Sequence, residues 1–220
     1  MSAYSKLYKV LAKPLRAIFS LRVEGEAIAD DNKGYLLCAN HTGLLDVIVL
    51  AVSMRRQPRF MGKKELFKIP VLKQLITALG AFPVDRGGSD VGAIRKTISL
   101  VEKGEIVGMF PQGTRHPRVD PRTTEVKNGA GMIAYRAKCD VIPVTIDIKG
   151  AKYGLFKRTR VVFGKPMSYE DLGFSSGGRE EYARATDMIF AEVIKNGNFS
   201  SLPEYTPDRD RANKKKKRKK

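Results

Sequence analysis

The fold of this chain is decided by residues 35–52, YLLCANHTGLLDVIVLAV. The stretch opens with an apolar run at 35–39, which has the length of a strand buried on both faces. It closes with a second apolar run at 47–52, which predicts a buried helix. Between the two runs lies a polar turn at 40–46, where the chain passes from strand to helix. The other predicted elements are arranged around this strand–turn–helix unit.

The turn carries an imidazole and a carboxylate, His41 and Asp46, five residues apart. On a regular helix five steps would separate the two side chains by ~140°, and they would not meet. They meet if His41 lies on the turn and Asp46 in the first helical turn, with Gly43 supplying the backbone freedom. Asp46 would then accept from one ring nitrogen and leave the other as a general base. The alternative is a capped helix start in which His41 only fills space.

Strands and helices alternate along the rest of the chain. This alternation predicts an α/β fold, with a mostly parallel central sheet flanked by helices. Functional sites in such sheets gather at the carboxyl ends of strands, and polar residues at 41–46, 85–86 and 112–115 follow predicted strands. Further strands are predicted at 21–24, 59–61, 81–84, 105–110, 142–148 and 161–163, and further helices at 4–20, 71–79, 91–101, 129–137 and 179–195.

The composition indicates one globular domain with a phosphate-rich partner. The chain has 220 residues, of which 42% are hydrophobic, and a formal charge of +18. Seven of those charges lie in residues 214–220, which leaves +11 on the rest. The excess favours nucleic acid, anionic lipid or a phosphorylated small molecule as partner. The two cysteines, Cys38 and Cys139, match no metal or redox spacing and are expected to be buried thiols.

The two ends of the chain differ from its middle, and the chain divides into residues 1–24, 25–202 and 203–220. Residues 4–20 predict an amphipathic helix with Lys6, Lys9, Lys13 and Arg16 in one sector and leucines opposite. Such a helix suits a membrane interface, or else packs on the domain by its apolar face. No apolar run reaches the ~18 residues of a membrane span. The basic tail is expected to be disordered, and serves as a loose membrane contact or has no single role.

Several common catalytic motifs are absent from the sequence. It contains neither a Gly-x-Ser-x-Gly elbow nor a phosphate-binding Gly-x-x-x-x-Gly-Lys-Ser/Thr loop. With only two histidines, His41 and His116, and no suitably spaced cysteine, a catalytic zinc is not expected. What remains is a His–Asp pair without a nucleophile of its own. Such a pair can deprotonate a hydroxyl that the substrate supplies, while arginines hold a phosphate on the same substrate.

Four motifs in order resemble those of the glycerolipid acyltransferases, and in particular the bacterial 1-acyl-sn-glycerol-3-phosphate acyltransferases. The His-x4-Asp motif is present as His41 to Asp46, and the second motif as residues 80–86, GAFPVDR. The third motif is residues 110–115, FPQGTR, and the fourth is residues 141–144, VIPV. A basic segment, KKEL at 63–66, also matches. Each motif is weak alone, but their order and spacing over residues ~22–145 are specific.

The resemblance implies a reaction. His41 would take the proton of the sn-2 hydroxyl of lysophosphatidic acid, and that oxygen would attack the thioester of acyl-CoA or acyl carrier protein to give phosphatidic acid. Asp46 would hold the imidazole, as the acid does in a catalytic triad. The acceptor's glycerol phosphate would be bound by residues in the second and third motifs and the basic segment, namely Arg86, Arg115, Lys63, Gln112, Gly113 and Thr114. No metal or cofactor is implied.

One residue departs from the family pattern. Gln112 stands where these enzymes usually have glutamate, which removes a charge and adds two hydrogen-bond donors. Because the dyad itself is intact, activity is still expected. Phe110 of the same motif is expected to belong to the core. Asp140 stands where proline is common before the fourth motif, and is interpreted as a loop detail.

The resemblance also implies a location in the cell and leaves alternative functions open. Since substrate and product live in a bilayer, the enzyme is expected at the cytoplasmic face of the cell membrane as a peripheral protein on an anionic surface. Glycerol-3-phosphate and other lysophospholipids are the alternative acceptors within the family. A basic nucleic-acid-binding protein is the rival from another class. The sequence offers it only a pI of about 10.0 and a basic tail without interleaved aromatic residues.

Overall fold

A central sheet of seven strands organises the chain. The computed structural model describes residues 3–25, 31–84 and 91–207. The strand order across the sheet is β1-β7-β6-β2-β5-β3-β4, and every neighbouring pair is parallel except β6 and β7. The predicted α/β class with a mostly parallel sheet is confirmed. The strands are β1 Leu21–Gly25, β2 Tyr35–Ala39, β3 Pro58–Lys63, β4 Ala81–Val84, β5 Ile106–Met109, β6 Asp140–Ile148 and β7 Thr159–Phe163.

Helices cover both faces of the sheet. The first two pack on one face and the last three on the other, while the third lies beside β4 at the sheet edge. Short 3-10 turns follow β3, β6 and β7, and another lies in the loop after β5. The helices are α1 Ala3–Ile18, α2 Asp46–Ser53, α3 Pro70–Ala78, α4 Val91–Glu102, α5 Gly129–Ala137 and α6 Arg179–Lys195.

Strand β2 lies at the centre of the sheet and is buried on both faces. Leu37 and Ala39 pack into the core with α2, whereas Leu36 and Cys38 pack into the core with α5 and α6. Burial on both faces explains why the sequence shows a continuous apolar run here rather than an alternation. β2 has its parallel neighbours β5 and β6 on either side. The loops that follow these three strands therefore meet at one edge of the sheet.

Helix α1 packs along α2 by a wider face than the helical wheel predicts. The Tyr4 hydroxyl donates to the carbonyls of Ala51 and Met54 at 2.7 and 3.0 Å. Arg16, expected on the exposed cationic face, is turned inward and donates through Nε to the Val52 carbonyl at 2.8 Å. Lys6, Lys9, Lys13 and Val10 remain exposed. Among the described residues, no helix has both the length and the apolar character needed to cross a bilayer.

The chain beyond α6 returns towards the loop after β5. The Pro203 carbonyl accepts from the Asp120 amide at 2.9 Å, and the Tyr205 ring contacts the His116 ring edge-on at 4.7 Å between centroids. Residues 208–220, which include the basic run, lie outside the described residues.

Asn40 fixes the point at which the chain leaves β2. Its side-chain Nδ2 donates to the Ile146 carbonyl at 2.9 Å, and its Oδ1 accepts from the Ile146 amide at 2.7 Å. The side chain thus takes the place of the next residue in the ladder between β2 and β6. Asn40 is 1% exposed, so neither group of Ile146 has water as a substitute partner.

Replacing Asn40 by alanine should destabilise the fold. The Asn40→Ala change leaves two buried backbone groups of Ile146 unpaired, which costs about 2–4 kcal/mol in the free energy of unfolding. Urea unfolding followed by circular dichroism measures the loss. Asn198→Ala, which truncates an exposed side chain, is the control and should be nearly neutral. Equal stabilities for the two variants would contradict the role of Asn40.

Candidate active site

The two predicted dyad residues meet at the carboxyl edge of the sheet. His41 follows β2 by two residues, and Asp46 is the first residue of α2. His41 Nδ1 lies 2.7 Å from Asp46 Oδ2. Because the carboxylate accepts, Nδ1 carries the proton and Nε2 keeps its lone pair. No described residue bonds to Nε2, which leaves that nitrogen for a substrate.

The Asp46 carboxylate is fully buried and held by four donors. Its Oδ2 accepts from the amides of Thr42 and Gly43 at 2.7 and 2.9 Å, in addition to His41. Its Oδ1 accepts from the Tyr153 hydroxyl at 2.6 Å. One carboxylate thus holds the turn before α2 and orients the imidazole, whereas no side chain caps the first amides of α2. A buried carboxylate with this many donors has a fixed position.

The loop after β5 holds the main chain of His41. The His41 amide donates to Gln112 Oε1 at 2.6 Å, and the His41 carbonyl accepts from the His116 amide at 2.9 Å. Gln112 is buried, and its Nε2 donates to Thr124 Oγ1 at 2.7 Å. Both ends of this amide are therefore bonded to the protein. In this position Gln112 fixes the backbone that carries the imidazole.

Phe110 fixes the plane of the imidazole. Its ring stacks on the His41 ring with centroids 3.8 Å apart and planes at 10°. Phe110 also packs near the core residue Phe60, with ring centroids 6.2 Å apart, as expected for a core residue. The expectation is incomplete, because the same ring is part of the site through its stacking on His41. Phe110 covers one face of the His41 ring and leaves its two nitrogens free for polar contacts. Nδ1 contacts Asp46, and Nε2 is left for solvent or substrate.

Tyr153 is a site residue that the sequence motifs do not identify. It lies between β6 and β7, and its ring packs over Gly43, where an added Cβ would lie 3.3 Å from ring carbons. Burial and the neighbouring charge of Asp46 raise the pKa of Tyr153 well above its usual value. The hydroxyl therefore stays protonated near neutral pH and donates to Asp46. The only sequence signal would be a tyrosine in a short connection that leaves the carboxyl edge.

The predicted phosphate-binding residues of the third motif differ in their exposure to solvent. Gly113, Thr114 and Arg115 are exposed on the turn after β5, while Gln112 points inward. The turn needs glycine at 113, where φ is +67° and an added Cβ would lie 2.9 Å from Cδ of Lys127. Lys127 is itself exposed and is a further cation beside this turn, one that the motifs do not single out.

The other two predicted cations lie on the second motif and the basic segment. Lys63 ends β3, and its ammonium is 3.6 Å from a carboxylate oxygen of Glu65. Since β3 is parallel to β5, Lys63 ends at the same sheet edge as the dyad. Arg86 lies outside the described residues.

Within the part of the chain described, the site contains no reactive cysteine and no metal cluster. Both cysteines are buried free thiols, as predicted, and burial raises the pKa of Cys139 to about 12. A thiol with so high a pKa is not a nucleophile at neutral pH. No group of three or more histidine, cysteine, aspartate or glutamate side chains could hold a metal ion among residues 3–25, 31–84 and 91–207.

Comparison with known proteins identifies the family of this chain. The Acyltransferase family profile matches residues 20–147, which include every residue of the dyad and of the loop that holds it. The chain belongs to the Acyltransferase family. It is thus an O-acyltransferase, and the resemblance carried by the four motifs is confirmed.

Individual relatives extend the similarity over most of this acyltransferase. The 1-acyl-sn-glycerol-3-phosphate acyltransferase of Bacillus subtilis (strain 168) is 33% identical over 190 residues, which is 83% of this chain and 93% of that protein. The enzyme of the same name from Streptococcus pneumoniae is 34% identical over 151 residues, 67% of this chain and 55% of the relative. The crystal structure of the 1-acyl-sn-glycerophosphate acyltransferase PlsC from Thermotoga maritima superposes with a TM-score of 0.61 at 23% identity. That match covers 87% of this chain and 76% of the other, and shows a shared fold.

The Tyr153 hydroxyl should matter for the rate of acyl transfer. Tyr153→Phe removes one of the four donors to Asp46 and keeps the ring over Gly43. A buried hydrogen bond to a carboxylate of this strength corresponds to a fall in kcat of roughly tenfold, with little change in KM. Steady-state kinetics on the purified variant measure this. Tyr135→Phe is the matched control, because the Tyr135 hydroxyl donates to the Ser176 carbonyl, away from the dyad. Similar kcat values for Tyr153→Phe and wild type would show that the other three donors suffice.

Proposed function

We propose that this acyltransferase transfers an acyl chain to the sn-2 hydroxyl of lysophosphatidic acid, with His41 as the general base. The observation that carries the proposal is the 2.7 Å contact between His41 Nδ1 and Asp46 Oδ2, which leaves Nε2 for the acceptor hydroxyl. The names of the Bacillus subtilis and Streptococcus pneumoniae relatives support lysophosphatidic acid as the acceptor. Acyl-CoA or acyl carrier protein serves as donor. The reaction requires no metal and no further cofactor.

The proposed steps follow from the position of the proton. His41 Nε2 takes the proton of the sn-2 hydroxyl as its oxygen attacks the carbonyl carbon of the thioester. The C=O electrons move onto oxygen, and the tetrahedral intermediate collapses with loss of the thiolate. The imidazolium then returns its proton to the thiolate. Between these two transfers, Asp46 stabilises the charged imidazole, and Phe110 keeps its plane fixed.

The acceptor's phosphate is proposed to bind the exposed turn after β5. Arg115 and Thr114 are exposed beside the dyad loop, and Lys63 ends a strand at the same sheet edge. A guanidinium can bind two phosphate oxygens at once, so Arg115 is the main candidate. Arg86 of the second motif is proposed for the same phosphate. The amides around Gly113 shape this pocket.

The motif predicts that Gln112 binds substrate, but its partners in the structure favour a role in positioning His41. Since both of its amide ends are bonded to His41 and Thr124, we propose that it acts mainly by positioning His41. Its neutral amide serves this purpose without a charge.

The acyltransferase is proposed to act as a peripheral protein on the cytoplasmic face of the membrane. Helix α1 exposes Lys6, Lys9, Lys13 and, with a 71% exposed side chain, Val10. Each basic residue near an anionic lipid surface contributes about 1 kcal/mol, which falls as salt rises. Removing α1 would not test this proposal cleanly, because Tyr4 and Ala12 of this helix are buried in the domain.

Other acceptors within the family are the alternatives. Glycerol-3-phosphate and other lysophospholipids would use the same dyad and the same attack on a thioester. The Acyltransferase family match gives no support to the alternative of a basic nucleic-acid-binding protein. No separate role for nucleic acid is proposed.

His41→Ala is expected to fold like the wild type and lose acyl transfer. The loss of a general base lowers the rate by roughly 10²–10⁴-fold. The assay offers oleoyl-CoA and lysophosphatidic acid in mixed micelles and follows phosphatidic acid and free thiol together. Thiol without phosphatidic acid from the wild type would indicate thioester hydrolysis or the wrong acceptor. A variant within roughly tenfold of the wild-type rate would contradict His41 as the base.

Arg115→Ala is expected to raise the KM for lysophosphatidic acid far more than the KM for the acyl donor. The reason is that the guanidinium would contact the acceptor's phosphate and not the thioester. The matched control is Arg95→Ala on α4, whose side chain is also exposed but lies on an element distant in sequence from the site. Equal changes in the two KM values would argue against a phosphate contact.

A further inference from the structure

The connection between β6 and β7, residues 149–158, contacts the dyad on its inner side and exposes two apolar side chains, Leu155 and Phe156, at its tip. Tyr153 points inward and donates to Asp46 at 2.6 Å. Leu155 and Phe156, two and three residues later, point outward and are 72% and 68% exposed. Adjacent large side chains with this exposure are uncommon on a folded surface and indicate an interaction site. The site lies on the same short segment as a donor to the dyad.

The backbone of this tip is held in an unfavourable conformation. Phe156 has a φ of +53°, in the left-handed region that a bulky residue rarely adopts. Its amide donates to the carbonyl of Ile18, the last residue of α1, at 2.7 Å. This bond fixes the segment to the end of the helix that exposes Lys6, Lys9 and Lys13. A conformation of this kind is maintained by its surroundings, and here it turns an aromatic ring outward.

The charges around the tip have one sign. Residues 149–158 contain four cations and no acid, and the cations lie on both sides of the apolar pair in the sequence. Three of the four side chains are exposed and the other is half-buried; the four are Lys149, Lys152, Lys157 and Arg158. An apolar pair flanked by cations complements a surface with phosphate groups above a hydrocarbon layer. The complementary partner is an anionic bilayer.

We propose that residues 149–158 form a second membrane-docking element, in which Leu155 and Phe156 enter an anionic bilayer and the four cations bind lipid phosphates. The proposal rests on the proposed function, since the bilayer to which the segment docks would also contain the lipid acceptor. Tyr153 links this element to the dyad. Docking by the segment therefore places His41 beside the bilayer, where the hydroxyl of a lipid acceptor can reach it without leaving the membrane.

The chain contains no tryptophan, so one introduced tryptophan reports on this segment alone. The probe is Phe156→Trp, mixed with vesicles of phosphatidylcholine or of phosphatidylcholine and phosphatidylglycerol in equal parts. The expected result is a blue shift of emission and protection from acrylamide with the anionic vesicles. Met188→Trp is the control, because Met188 is 37% exposed on α6, on the other face of the sheet. Its emission should not change.

A second variant tests whether the tip matters for catalysis. Leu155→Ser with Phe156→Asn removes the apolar pair, and asparagine tolerates the left-handed backbone. Its partitioning onto anionic vesicles should weaken by roughly tenfold. Its apparent KM for lysophosphatidic acid in vesicles should rise, while transfer to a monomeric short-chain acceptor should match the wild type. An equal loss with both acceptors would overturn the docking role.

The outcomes separate this inference from the proposed function. If the wild type transfers acyl groups and sediments with anionic vesicles but the emission of the Phe156→Trp variant is unchanged, another part of the chain docks the protein and the inference is overturned. The same shift from the probe at position 188 would also overturn it. If no acyl transfer to lysophosphatidic acid occurs, the proposed function fails, whereas a shift confined to the probe at position 156 still supports the docking element.

Discussion

The burial of one carboxylate, that of Asp46, determines the arrangement of the site. A buried carboxylate is stable only when donors replace the water it has lost. Its four donors come from the turn after β2, from the His41 ring and from Tyr153 in the connection after β6. Any movement of the turn, the ring or that connection would leave part of the charge unpaired. The same bonds that stabilise Asp46 therefore hold the imidazole in place.

The parallel sheet makes this convergence possible. β2 lies between β5 and β6 and runs in the same direction as both, so their carboxyl ends share one edge. β2 delivers His41, β5 delivers Phe110 and Gln112, and β6 delivers Tyr153. An antiparallel neighbour would have sent one of these loops to the opposite edge. The reversal occurs only at β7, after the third loop has passed the site.

The sequence predicts what depends on local pattern and misses what depends on distant contacts. The predicted strand at 35–39 and helix at 179–195 coincide with β2 and α6, because a continuous apolar run and a helical apolar period are local signals. Tyr153 could not be identified, since it lies 107 residues from Asp46 in a connection without periodicity. Arg16 was misplaced for a related reason. A helical wheel gives the sectors of a helix but does not show which sector packs against the domain. The Arg16 guanidinium in fact donates to the Val52 carbonyl near the end of α2.

Position 112 shows how one departure from a family pattern is accommodated. As an amide, Gln112 offers an acceptor to the His41 amide and a donor to Thr124 Oγ1. That hydroxyl already donates its own proton to the Pro121 carbonyl at 2.7 Å, so it can only accept from residue 112. A glutamate there would present a second acceptor, and Thr124 would have to turn away from Pro121 to donate to it. Gln112 and Thr124 thus form a matched pair, in which the amide supports the backbone of His41 and the dyad itself is unaltered.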